Sequence, residues 1–233
     1  MSAPAASATR ARVVALVPAR DEADRVGATV RALLEIADVA EVLVVDDGST
    51  DGTASEALAA GAGVLRLARS AGKGRALEGA LRRLPEPDVW LLADADLGDS
   101  AAGLREVLRP VLAGDADLAI ASFPPAQGGG FGIVKRFAAR SIRLVAGFDA
   151  AEPLSGQRAA TAAAVAACRP LARGFGVETA MTIDAVRAGL RVVEVPAPLV
   201  HRPTGRDARG FAHRGRQGLD IALAVLARAV GLR

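Results

Sequence analysis

EVLVVDDGSTDGT, running from Glu41 to Thr53, sets the fold class. Its first part, Glu41–Val45, is a β-branched run of the kind buried on both faces of a parallel sheet. Its second part crowds Asp46, Asp47, Gly48, Ser49, Thr50, Asp51 and Gly52 into a turn. Thr53-Ala-Ser-Glu56 then has capping-box spacing, which predicts a helix that Gly61 closes. The same strand–turn–helix unit recurs on either side. RVVALV (Arg12–Val17) reads as a strand, and Val26, Val30, Leu33 and Leu34 repeat at helical spacing within Glu22–Ile36. Beyond Gly61 come a strand at Val64–Leu67, a helix at Arg75–Leu84 and a strand at Val89–Leu92 (VWLL). A helix near Ala102–Leu112 and a strand at Leu118–Ala121 follow. Such alternation with short connections predicts an α/β fold around a mostly parallel sheet.

After Ser122 the pattern loosens. Pro124–Gly132 is rich in Gly and Pro and reads as a mobile loop, with a helix from there to about Ala146. A strand near Ser155–Ala159, helices at Ala160–Ala167 and Glu178–Ala188, a strand at Arg191–Val195 and a helical C-terminus complete the chain. With no repeat and no long linker, a single domain over residues 12–233 is expected behind a disordered 1–11. Residues 12–121 would bind the ligand that the acidic turns suggest, and residues 122–233 would bind its partner.

Composition narrows the function. Ala exceeds a fifth of the 233 residues, aromatics are 3% and Tyr is absent. Base-stacking nucleic-acid modules need aromatic platforms, so no nucleic-acid partner is expected. One cysteine, Cys168, excludes a disulfide framework, and two histidines exclude a zinc finger. No apolar run reaches membrane-spanning length, so the expectation is a soluble cytoplasmic protein. The net charge of +3 is unevenly spread. Residues 201–233 hold seven Arg against Asp207 and Asp220, a local +5, which points to an anionic partner near the C-terminus. Arg206, Arg209, His213 and Arg216 share one helical face, either a solvated stripe or a wall for phosphates. Leu219–Leu232 is apolar nearly all round, which predicts burial against its own domain, a second subunit or a membrane surface.

Ligands of open α/β sheets bind beyond the carboxyl ends of the strands. Three acidic clusters fall there: Pro18-Ala-Arg-Asp-Glu22, Asp46–Asp51 and Asp94-Ala-Asp96. Each alone could be a capped turn, but together they favour a cation or a polyhydroxyl ligand. Asp115 and Asp117 repeat the Asp-x-Asp pattern before a strand, on the opposite edge, and read as a solvated turn. Lys73, one of only two lysines, lies between Gly72 and Gly74 ahead of a helix, where a backbone can approach an anion. It is either an anion ligand or an exposed turn residue. A Walker loop is excluded because neither Ser nor Thr follows Lys73, and a dinucleotide fingerprint fails at Leu77. His201 follows a Pro-punctuated, β-branched run and could end a strand on the ligand edge.

In order, these motifs resemble a family-2-type glycosyltransferase of the GT-A fold, a Rossmann-like sheet flanked by helices, here with a helical C-terminal segment. The resemblance runs from Val13 to about Asp220. PLSGQRA (Pro153–Ala159), GFGVE (Gly174–Glu178) and His201 are similar to glucosyl-3-phosphoglycerate synthases. It implies that Pro18, Ala19 and Glu22 line the nucleotide site with Ser49, and that Asp47 or Asp46 meets the base. It places Lys73 near base and diphosphate, and Asp94 on the ribose or a metal-bound water. Asp96 and His201 would bind Mn²⁺ or Mg²⁺, and Glu178 would face the sugar or acceptor. Asp96, Glu178 and Lys73 are thus the expected catalytic set. The implied reaction is metal-dependent transfer from a UDP- or GDP-sugar to a phosphorylated or lipid-phosphate acceptor. A homodimer or peripheral membrane contact through the C-terminal helix is expected with it. The chain departs from those synthases where Gly128-Gly-Gly130 leads to Phe131 instead of Arg, and where Gln157-Arg158 replaces Glu-Tyr. The competing readings are an NAD-dependent oxidoreductase, a sugar-1-phosphate nucleotidyltransferase and a non-catalytic nucleotide-sugar binder.

Overall fold

The computed structural model describes residues 10–123, 132–200 and 208–231, with the helical backbone alone for 208–216. Seven strands form one sheet in the order β3-β2-β1-β4-β6-β5-β7. They are β1 (Val13–Ala19), β2 (Val39–Asp46), β3 (Gly63–Arg66), β4 (Val89–Leu92), β5 (Leu118–Ser122), β6 (Arg158–Thr161) and β7 (Val192–Pro196). Eight α-helices accompany them among the described residues: α1 (Val26–Leu34), α2 (Thr53–Ala59), α3 (Lys73–Leu81), α4 (Arg105–Leu112), α5 (Ile133–Ala146), α6 (Ala162–Ala167), α7 (Val177–Arg187) and α8 (Ala208–Ala229).

Period-two alternation splits the hydrophobic residues into two cores. Val13, Ala15 and Val17 of β1 face α1 and α4, packing with Val30, Leu33, Val107 and Leu108. Val14 and Leu16 face the other way, toward Leu77 and Ala80 of α3 and Val177 and Met181 of α7. Both faces being covered explains why the strands read as continuous apolar runs.

The predicted α/β alternation stands, with local corrections. The strand expected near Ser155–Ala159 is β6, shifted to Arg158–Thr161 and antiparallel between β4 and β5. The helix expected over 102–112 splits into a 3₁₀ segment, Gly98–Leu104, and α4. Thr53 does not cap α2; it is the first helical residue, and Asp51 Oδ1 instead accepts from its amide at 2.9 Å. Arg10 is tied to Asp38 at 2.6 Å, so order begins inside the segment expected to be disordered. The loop expected to be mobile falls on 124–131, outside the described residues.

Two polar details confirm which sheet edge is which. Ala19 stands beside Asp46 and Leu16 beside Leu92, so β1, β2 and β4 end on a common edge. Asp117 lies ahead of β5 on the other edge. It is no solvated turn: its carboxylate accepts from the Arg191 amide at 2.8 Å and pairs with the Arg191 guanidinium at 2.8 Å, clasping β5 to β7.

The C-terminal helix is neither fully buried nor free. Ile221, Ala224 and Arg228 of α8 face inward, and Arg228 Nη2 lies 2.8 Å from Asp184 Oδ2 of α7 in a buried pair. Gly174 and Gly176 let α8 approach the turn before α7, where a Cβ would meet Asp220 or Ala224. Leu219, Leu223, Leu226 and Val230 line the outer side and are 57–61% exposed. No helix among the described residues is long and apolar enough to cross a membrane.

Candidate active site

Short polar ties hold together the loops at the carboxyl ends of β1 and β2. The Asp21 amide donates to Ser49 Oγ at 3.0 Å, the Thr50 amide to Asp21 Oδ1 at 2.8 Å, and the Glu22 amide to Thr53 Oγ1 at 2.9 Å. Asp46 is wholly buried: Oδ1 accepts from the Ser49 amide at 2.8 Å and Oδ2 lies 3.2 Å from Arg66 Nε. Asp46 and Ser49 therefore act as struts inside the turn. Asp47 is 5% exposed and anchors the next loop. It accepts from the amides of Ala71 and Gly72 at 2.6 and 2.9 Å and from Ser70 Oγ at 2.8 Å.

That anchored loop delivers Lys73. Gly72 has φ +85°, a left-handed conformation that favours glycine, and Lys73 begins α3 directly after it. A Cβ at Gly74 would run into the Ala172 carbonyl, so close packing there fixes the start of the helix. Lys73 Nζ sits 2.6 Å from Asp94 Oδ1 and 2.6 Å from Glu178 Oε1. Its side chain is only 21% exposed, so the exposed-turn reading of Lys73 is corrected. Burial works against its charge, but the Asp94 and Glu178 carboxylates outweigh it and hold the ammonium above its ordinary pKa.

Asp94 follows β4, and its second oxygen accepts from Gln157 Nε2 at 2.6 Å. Gly156 is small for a reason: a Cβ there would lie 2.5 Å from Lys73 Nζ and 2.9 Å from each Asp94 oxygen. Glu178 is 6% exposed on the first turn of α7. A small cavity beneath the cluster is lined by Pro18, Lys73, Leu92, Gly156, Arg158 and Glu178. Ala19, at the end of β1, is buried and its carbonyl accepts from the Asp47 amide at 2.9 Å.

Asp96 stands half-buried in the turn beyond Asp94. Its carbonyl accepts from Arg25 Nη1 at 3.0 Å. Thr29 of α1 fixes this turn, donating to the Ala95 carbonyl at 2.8 Å and accepting from the Gly98 amide at 2.8 Å. Among the described residues no three metal-ligating side chains converge. His201 and Arg206 lie outside the described residues, as do the side chains of Arg209, His213 and Arg216.

The geometry thus brings together Pro18, Lys73, Asp94 and Glu178, with Asp96 nearby, and sets Asp46 and Ser49 behind them. Sequence reasoning did not single out Thr29, Gly156, Gln157 or Arg158 as site residues. Only the Pro153–Ala159 run, noted as a similarity, and the Gln157-Arg158 pair inside it, noted as a departure, carried a signal. Chemically, the cluster offers a buried cation between two carboxylates at a sheet's ligand edge. That arrangement can meet a negatively charged group while orienting a hydroxyl.

Comparison with known proteins supplies a context. The family described as "Glycosyl transferase family 2" matches residues 14–159. The chain is 31% identical over 172 residues to glycosyltransferase AglJ of Haloferax volcanii, covering 72% of this chain and 56% of that protein. It is 32% identical over 213 residues to glucosyl-3-phosphoglycerate synthase of Mycolicibacterium paratuberculosis, covering 80% and 64%. It thus spans about three-fifths of the length of these two relatives. Undecaprenyl-phosphate mannosyltransferase of Micrococcus luteus is 27% identical, covering 95% and 98%. Among solved structures, glucosyl-3-phosphoglycerate synthase from Mycobacterium tuberculosis with Mn²⁺, UDP and phosphoglyceric acid superposes with a TM-score of 0.79 at 25% identity, covering 96% and 80%. The same enzyme with Mg²⁺ and UDP gives 0.77 at 25% identity, covering 96% and 80%.

Proposed function

The chain belongs to glycosyl transferase family 2, and from that premise we propose that it transfers a sugar from a UDP- or GDP-sugar to a phosphorylated or lipid-phosphate acceptor. The observation that carries this reading is the meeting of Lys73, Asp94 and Glu178 at the carboxyl ends of the central strands. Membership of this family leaves no place for the oxidoreductase reading, whose fingerprint already failed at Leu77.

Mn²⁺ or Mg²⁺ fits the donor set. Such ions favour oxygen ligands and are commonly held by one or two carboxylates plus substrate phosphates, without a complete protein cage. Asp96 would hold the ion, with His201 as its further ligand and Asp94 toward the ribose or a metal-bound water. When bound, the ion would neutralise negative charge on the leaving diphosphate.

The chain's own residues do the rest. Pro18, Ala19, Glu22 and Asp47 frame the nucleotide pocket. Lys73 moves from its carboxylates toward the diphosphate, stabilising the charge that develops as the glycosyl–phosphate bond breaks. Glu178 accepts a hydrogen bond from the acceptor hydroxyl and orients it, or takes its proton. The apolar stripe of α8 supports a dimer or a peripheral membrane contact, and the arginine-rich segment before it borders an anionic acceptor.

The test is product analysis. Purified protein incubated with UDP- or GDP-sugars, Mn²⁺, and panels of phosphorylated acids and polyprenyl phosphates should yield a sugar-bearing acceptor by mass spectrometry. Nucleotide binding with no transfer or donor hydrolysis across the panels would instead favour the non-catalytic binder.

A further inference from the structure

Gln157 has no part in the reading above, yet it is wholly buried against the Lys73 cluster. Strand β6 sets it there. Arg158 stands opposite Leu92 of β4 in an antiparallel pair, so the residues ahead of Arg158 run alongside those that follow Leu92. Gly156 and Gln157 thereby reach Asp94. The Gln157 carbonyl accepts from the Ala121 amide of β5 at 2.9 Å, which holds the backbone from the other side.

Both ends of the Gln157 amide are used. Nε2 donates to Asp94 Oδ2 at 2.6 Å, and Oε1 accepts from Ser155 Oγ at 3.3 Å. An ionised carboxylate only accepts, so Asp94 requires the amide to present its nitrogen, and the oxygen is left for the Ser155 hydroxyl. A buried amide without partners is costly, and these two bonds explain why one is tolerated here. Asp94 is thus gripped on both oxygens, Oδ1 by Lys73 and Oδ2 by Gln157, while its side chain stays 31% exposed.

We propose that Gln157 is a positioning residue for Asp94: it fixes the carboxylate from the buried side, so that Asp94 keeps its orientation when Lys73 turns to a donor diphosphate. What Asp94 then meets rests on the proposed function. The two partners of Asp94 differ in kind. Lys73 carries a compact ammonium on a flexible stem, already shared between Asp94 and Glu178, so an arriving anion competes directly for it. Gln157 offers no charge to compete for, lies out of solvent and is tied at both ends. It stays in place and, as a neutral donor, leaves the negative charge of Asp94 intact. Glu at this position, as in the synthases the chain resembles, would set a second carboxylate against Asp94.

The orientation of Asp94 can be observed without nucleotide or sugar. Gln157→Met keeps the length of the side chain and removes the donor. Crystal structures should show the Asp94 carboxylate in its wild-type orientation in Lys73→Met and turned away from it in Lys73→Met/Gln157→Met. Gln157→Asn, whose amide is one methylene too short to reach Asp94, replaces Gln157→Met if the apolar variant does not fold. A displaced Asp94 in Lys73→Met alone would overturn the proposal, as would an unmoved Asp94 in the double variant. With Lys73 intact, Gln157→Met should weaken Mn²⁺-dependent binding of UDP or GDP about tenfold, the scale of one hydrogen bond to a charged group. The donor KM should rise with it while the acceptor KM holds. In an Asp94→Ala background the same substitution should weaken nucleotide binding no further. An equal loss in both backgrounds would mean that Gln157 serves the strand and not the carboxylate, which also overturns the proposal. A protein that passes the crystallographic test but binds neither UDP nor GDP fails the functional reading alone.

Discussion

Lys73 is one of two lysines in a chain that otherwise uses arginine for its basic side chains. Rarity and flanking glycines marked it, and the structure gives it two carboxylates. Lys73→Ala should weaken nucleotide binding by about 1–3 kcal/mol, the scale of a charge-assisted hydrogen bond. Unchanged affinity in calorimetry would remove it from the donor site. Gly156 yields a second prediction. The nearest atoms a Cβ there would press on are the movable ends of Lys73 and Asp94, so Gly156→Ala should fold with near wild-type Tm and lose nucleotide affinity. A lower Tm with intact affinity would mean that the glycine serves the backbone and not the cluster. Gly156 and Thr29 could not be found beforehand, because their partners lie on elements distant in sequence. Only the folded register brings them together.

At the scale of elements, the order of strands and helices up to β5 was legible because each strand is a short, mostly apolar run followed by a turn or loop. Strand β6 was not. Its short Ala-rich sequence carries little strand signal, and its antiparallel insertion depends on pairing with β4 and β5. The capping box at Thr53 misled because Asp51 competes for the same amide. Thr29→Val tests how the Asp94–Gly98 turn is held. Losing both hydroxyl bonds should cost about 1–3 kcal/mol in unfolding free energy and weaken Mn²⁺-dependent nucleotide binding. Normal binding in that variant would separate the turn from the donor site. The Asp117–Arg191 clasp makes a pH prediction. Hydrogen bonding from Arg191 lowers the Asp117 pKa, so its stabilisation is present above the ordinary Asp value of 3.8 and is lost as pH falls through the lowered value. Asp117→Asn should therefore melt a few degrees below wild type at pH 7, with the gap closing in acid. A gap unchanged down to pH 2 would contradict the clasp.

At the scale of the whole molecule, α8 buries one side on α7 and offers four large apolar side chains outward. Leu223→Glu and Leu226→Glu should leave the fold intact and abolish self-association in light scattering or binding to anionic liposomes. A wild-type monomer that ignores liposomes would leave the stripe without a partner. On this reading the acidic motif at the end of β4 serves a metal-dependent nucleotide site on one sheet edge. The direct test is calorimetric titration of UDP and GDP, with and without Mn²⁺, into wild type, Asp96→Ala and Asp117→Ala. Wild type and Asp117→Ala should bind one nucleotide in a Mn²⁺-dependent manner, and Asp96→Ala should lose that binding. Equal binding in both variants, or no Mn²⁺-dependent binding in wild type, would contradict that reading.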